Sequence, residues 1–212
     1  MKRNLIKKLT AVVLLIAMTV MTAVSALAAS SGRYNVTGDS ELLSQLNQLP
    51  PFKFEKHKKG IGYGSCPIYS APSYDAYRTA NGKSSCQTNA AMDDAGFVDG
   101  WLLVRYETNK GSYNVGYIPP KYVKNFKSKM GPHFGYIPAM ANESITVTNN
   151  PMSHKQSMAE LAPGETFYVI SKYNYYASQG LEWWYIEFTV DGQVARGFID
   201  ISSSFQLGYG EG

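Results

Sequence analysis

The chain has 212 residues, 44% hydrophobic and 17% charged, with 20 Lys+Arg against 16 Asp+Glu. Four of the basic residues, Lys2, Arg3, Lys7 and Lys8, sit at the extreme N-terminus. The rest is close to neutral and lacks the surplus of cations that phosphate neutralisation demands, which excludes an electrostatically driven nucleic-acid binder.

In chain order, that basic start is followed by an uncharged, largely apolar run over 9–24 and then by Ala26-Leu27-Ala28. A positive start, a short apolar run and an A-x-A end predict a signal peptide over 1–28. Export, to the extracellular space or the cell wall, is the compartment expected. No later apolar run is long enough to span a bilayer, so no integral membrane segment is expected after cleavage.

Residues 29–60 read as a lead-in. Asp39 and Ser40 can cap a short helix of about 40–49, with Leu42, Leu43, Leu46 and Leu49 at helical spacing and Pro50-Pro51 as the stop. So short a helix needs a surface to dock on, and the first β unit is the surface expected.

From Gly60 the pattern is β. Tyr (16), Phe (9) and Trp (3) are frequent, and short alternating runs are punctuated by Gly, Asn, Asp and Pro. Strands are predicted at 67–70, 96–99, 102–107 and 115–118, then at 144–148, 165–172, 184–190 and 195–199. Asp191-Gly192, between strand-forming residues, is the strongest hairpin signal. Cys66 and Cys86 are the only cysteines. Two readings of them stay open: a disulfide, as an oxidising compartment allows, or two buried thiols acting as small hydrophobes.

The two halves repeat each other. Trp101-Leu102-Leu103-Val104-Arg105-Tyr106 aligns without gaps on Trp183-Trp184-Tyr185-Ile186-Glu187-Phe188. Gly116-Tyr117-Ile118 matches Gly197-Phe198-Ile199, and Ile68-Tyr69-Ser70-Ala71-Pro72 matches Val147-Thr148-Asn149-Asn150-Pro151. Strand alternation then puts Leu102, Val104 and Tyr106 on one face, as it does Trp184, Ile186 and Phe188.

These landmarks resemble the bacterial Src-homology-3 (SH3-like) family. Its Pro-containing first loop, Gly-containing turn, Trp-Tyr-x-Val strand and closing Gly-Trp-Val/Ile strand fall on Pro151, Gly164, residues 183–186 and residues 197–199. In the first half they fall on Pro72, residues 101–104 and residues 116–118. The first half departs in lacking a Pro-Gly-Glu turn, and both closing strands carry Tyr or Phe where the family often has Trp. The whole chain resembles secreted proteins of Gram-positive, Clostridia-type bacteria that carry such modules in tandem. The resemblance implies two small barrels, 61–124 and 143–205, joined by a linker over 125–142.

No catalytic constellation is readable. His57, His133 and His154 are scattered without partners at a motif spacing, and no phosphate loop, zinc-protease helix or nucleophile elbow occurs. The chain is therefore read as non-enzymatic, with no cofactor and no metal. Small barrels cannot enclose all these rings, so Tyr69, Tyr74, Tyr77, Trp101, Tyr173, Tyr175, Tyr176, Trp183 and Trp184 are the candidate ligand-binding residues. Rings lining a groove hold extended peptides in Src-homology-3 barrels. The resemblance implies cell-envelope material, such as the peptides of peptidoglycan, as the partner; the alternative is an extracellular protein, bound by an adaptor or inhibitor.

Overall fold

A computed structural model describes residues 29–56, 65–78, 85–87, 92–107, 113–123, 129–151, 157–175 and 181–209. The segment read as a signal peptide lies outside them, as do His57, His154 and Tyr176. The fold is all-β apart from one short helix, with a sheet curled into a half-barrel. The chain enters as β1 (Ala29–Ser30) and β2 (Val36–Gly38), passes through helix α1 (Ser40–Gln48), and continues as β3 (Pro51–Phe52) and β4 (Glu55–Lys56). The first half holds β5 (Ser65–Pro67), β6 (Ser85–Gln87), β7 (Met92–Val98), β8 (Trp101–Glu107) and β9 (Tyr113–Ile118), then a 3-10 turn at Pro120–Tyr122. The second holds β10 (Ile137–Ala141), β11 (Ile145–Thr148), β12 (Ser157–Leu161), β13 (Thr166–Tyr175), β14 (Leu181–Val190), β15 (Gln193–Asp200) and β16 (Phe205–Leu207).

The larger sheet runs β1-β2-β16-β10-β13-β14-β15-β11-β12, with β3 added alongside β13. The smaller sheet is β4-β7-β8-β9, and β5 pairs with β6. Cys66 and Cys86 are opposed in that last pair.

The helix begins as expected, with the Leu42 backbone N–H donating to Asp39 Oδ1 at 2.8 Å. Its docking surface differs from the one predicted. Leu43, Leu46 and Leu49 are buried with Ile137, Ala139, Phe205 and Leu207, in the core of the second half. Strand β2 explains this: it pairs in parallel with β16, Val36 opposite Phe205, and so delivers the following helix to that half.

The internal repeat is a repeat of structure. In the first half Leu102, Leu103 and Val104 stand opposite Ile118, Tyr117 and Gly116. In the second, Trp184, Tyr185 and Ile186 stand opposite Ile199, Phe198 and Gly197. Tyr69 bridges to Tyr117, and its counterpart Thr148 pairs with Phe198. Even the bulge recurs, between Asp94 and Gly96 on β7 and between Val169 and Ser171 on β13.

The glycines of the closing strands serve the same end. A Cβ on Gly116 would overlap Ile68 Cγ2, and one on Gly197 would lie 2.6 Å from Val147 Cγ1. In each half the glycine lets the β-branched residue of the first strand press onto the backbone.

Each half encloses its own core on the predicted face. Leu102, Val104 and Tyr106 lie with Cys66, Ile68, Met92 and Ile118. Trp184, Ile186 and Phe188 lie in the core that receives the helix.

The opposite faces of the same strands are buried too. Trp101, Leu103 and Tyr117 pack with Tyr173, Tyr185 and Phe198, and Phe52 from β3 sits among them. Repeat-equivalent residues, Leu103 and Tyr117 against Tyr185 and Phe198, thus meet across a third, shared core.

The segment read as a linker helps to join the halves. Residues 137–141 form β10, between β13 and β16. Phe134 lies 6.1 Å from Phe52 and 5.7 Å from Tyr185, ring centre to ring centre. The buried Arg196 donates from Nε to Glu187 Oε2 (2.8 Å), from Nη1 to Tyr117 Oη (2.9 Å) and from Nη2 to Tyr136 Oη (2.7 Å). One cation therefore ties together both halves and the segment between them.

Candidate functional site

Three of the predicted ring residues converge in the first half. Trp101 opens β8 directly after the turn at Asp99 (φ +50°) and Gly100 (φ +81°). Tyr69 is fixed by reciprocal backbone bonds with Tyr117: its N–H donates at 3.1 Å and its carbonyl accepts at 2.7 Å. The loop that carries Tyr74 is closed by Ser70 Oγ donating to the Tyr77 carbonyl at 2.6 Å.

The result is a cluster with centroid separations of 5.3 Å (Tyr69–Trp101), 4.8 Å (Tyr74–Trp101) and 5.9 Å (Tyr69–Tyr74). Trp101 is the buried floor, and Tyr74, 57% exposed, is the wall open to solvent. Arg78 lies over Tyr69 at 5.0 Å.

The equivalent place in the second half is an open pocket of about 300 Å³, lined by Trp183, Thr148, Pro151, Ser144 and Asp200. Trp183, Thr148 and Pro151 are the repeat counterparts of Trp101, Tyr69 and Pro72. The same backbone position is thus built twice: filled by tyrosine in one half, open and more polar in the other.

A cavity of about 780 Å³ lies between the two halves. Its floor comes from the β3–β4 strap, and its walls from β7 and β8 on one side and β13 on the other. Arg105 stands in it, held by Asp93 through Nε at 3.0 Å and through Nη2. Phe54, Tyr113 and Tyr175 surround the guanidinium at 5.9, 5.2 and 5.3 Å. Burial pushes the Tyr173 phenol up to about 12, with Arg105 pulling the other way.

Several predicted residues have other roles. Trp184 is fully buried, 4.7 Å from Tyr34 and 6.0 Å from Phe205, and is core rather than groove. Tyr173 belongs to the shared core, where Trp183 packs 5.9 Å away. Tyr77 inserts into the core of the second half, its N–H donating to the Val194 carbonyl at 2.9 Å. It staples the first-half loop onto the second half and lines no groove. Ring count alone cannot separate these from surface rings, because the shared core needs aromatics on a second face of each strand.

Arg105, Asp93, Phe54 and Tyr113 are site residues that the sequence reading passed over. Asp93 and Asp94 both lie on β7, with Asp93 opposite Arg105. The available signal was Arg105 itself, a cation inside an otherwise apolar strand run.

Among the described residues, no group of three or more His, Cys, Asp or Glu could hold a metal ion. Among the same residues, no helix is long and apolar enough to cross a membrane. No family model, curated protein or solved structure matches this chain.

Proposed function

We propose that this is an exported, non-catalytic binding protein made of two SH3-like units, and that it recognises cell-wall material, the peptides of peptidoglycan in particular. Two observations support the two-unit reading: the shared strand register, and the glycine device common to Gly116 and Gly197. The Tyr69–Tyr74–Trp101 cluster carries the functional reading. It is a ring cluster at a loop, with an exposed tyrosine against a buried tryptophan, and aromatic surfaces of this kind receive extended peptides.

Retention of the chain lacking residues 1–28 on purified cell-wall sacculi tests it. Wild-type protein is expected to be retained, and Tyr74→Ala, whose ring is 57% exposed, to lose most of that retention while keeping the wild-type melting transition. Retention no greater than that of an unrelated secreted protein would overturn the reading.

A second reading, binding to an extracellular protein, has one observation in its favour. Tyr136, Tyr168 and Tyr209 form an exposed row with centroids 6.1 and 6.3 Å apart, and tyrosine is enriched at protein interfaces. Cross-linking in the culture supernatant, followed by loss of the cross-link in Tyr168→Ser, is the outcome that would favour it.

A further inference from the structure

The cavity between the halves is distinct from the ring cluster at Trp101, and its chemistry points to a ligand of its own. Its volume, about 780 Å³, falls in the range of roughly 300–1,000 Å³ usual for small-ligand sites. Phe54, Tyr113 and Tyr175 give it apolar walls around a few polar groups, the usual composition of such sites.

The polar groups are unevenly satisfied. Asp93 is taken up by Arg105, and Glu55 by Lys129, whose ammonium holds that carboxyl below its usual range. Both acids of the cavity are therefore neutralised. Lys53 and Lys56 line the same space, both exposed, and neither forms an ion pair among the described residues. The site carries a net positive charge at its rim, complementary to an anion.

Asn174 lines the same space, and the next residue, Tyr175, lies 5.3 Å from the Arg105 guanidinium.

We infer that the cleft between the halves binds a short acidic peptide. Its carboxylates meet Lys53 and Lys56, and its planar amides lie against Phe54, Tyr113 and Tyr175. The caged Arg105–Asp93 pair is part of the wall rather than the anion receptor, since its charge is already met. The inference deepens the binding-protein reading and rests on it for the source of the peptide, the acidic stems of wall material.

The test is titration calorimetry with an acetylated, amidated pentapeptide carrying two glutamates, beside a twin carrying glutamines. The acidic peptide is expected to bind at low ionic strength and weaken as salt is raised, and its twin to bind at least about tenfold more weakly. In Lys53→Gln/Lys56→Gln, two exposed changes that leave the cores intact, affinity is expected to fall about tenfold. Equal binding of the two peptides, or an unchanged affinity in the double lysine variant, overturns the proposal, as does an absence of binding. Sacculus retention of the double lysine variant, read through the Trp101 cluster, reports separately on the parent reading: retention intact with no peptide binding removes the cleft alone.

Discussion

At the scale of the residue, burial raises the phenols of the shared-core tyrosines and ties stability to alkaline pH. Tyr173 is 1% exposed, and burial raises its phenol from 10.0 to about 12. Tyr117 and Tyr185 are shifted in the same direction by burial. Below pH 10 these groups are neutral whether the chain is folded or not, and folding bears no cost. Between about pH 10 and pH 12 the unfolded chain releases protons that the folded chain retains, so stability falls with rising pH. For Tyr173 the loss amounts to at most about 2.7 kcal/mol across that window. Urea midpoints at about pH 9 and pH 12 measure it. Tyr173→Phe, which has no proton to lose there, is expected to keep roughly 1–3 kcal/mol more of its neutral-pH stability than wild type. An identical alkaline loss in the variant would show that this tyrosine titrates as it does in water.

At the scale of the element, the decisive device is the closing strand with its glycine. Gly116 faces Ile68 and Gly197 faces Val147 at positions that coincide in the repeat. Gly116→Ala is expected to cost about 1–3 kcal/mol, as overpacking of a filled core does. The cause is steric, so Ile68→Ala in the same chain is expected to recover part of the loss although it is itself destabilising. Thermal unfolding of the two single variants and the double variant closes the cycle; strictly additive losses would mean that the two side chains do not compete for one space.

The long strands were legible because their two-residue alternation and their recurrence agree. Residues 102–107 and 184–190 were placed within β8 and β14 and on the correct core face. The strands β1 to β4 were not legible. Each is two or three residues long and is defined by its partner rather than by its own pattern. Strand β10 was hidden by Pro138, which ordinarily argues against an inner strand. It is tolerated at the end of the β16 ladder, which begins at Ala139, and there its carbonyl still accepts from the Gly208 N–H at 2.7 Å. Asp99-Gly100, the same dipeptide as Asp191-Gly192, turns β7 into β8 with the same pair of positive φ angles, and it could have been read with the same confidence.

For the whole molecule, the question is whether two similar halves behave as one body. Each has a core of its own, that of the second half also receiving Tyr77 from the first; the third core draws on both, and the strap that carries Phe52 precedes both repeats in the chain. Phe52 lies 5.3 Å from both Tyr173 and Tyr185 and 6.5 Å from Phe198, and β3 pairs with β13 at Tyr173. A ring removed here weakens an interface rather than a module. Phe52→Ala is expected to cost about 3–5 kcal/mol. If the halves are thermodynamically coupled, that loss appears in both at once: amides of β8 and β9 and amides of β14 and β15 lose exchange protection by the same amount, under one unfolding transition. A loss confined to β14 and β15, or a second transition in the melt, would mean that the halves open independently. The ligand cleft between them would then lack the fixed walls that its chemistry requires, because Arg105 and Asp93 come from one half and Asn174 and Tyr175 from the other.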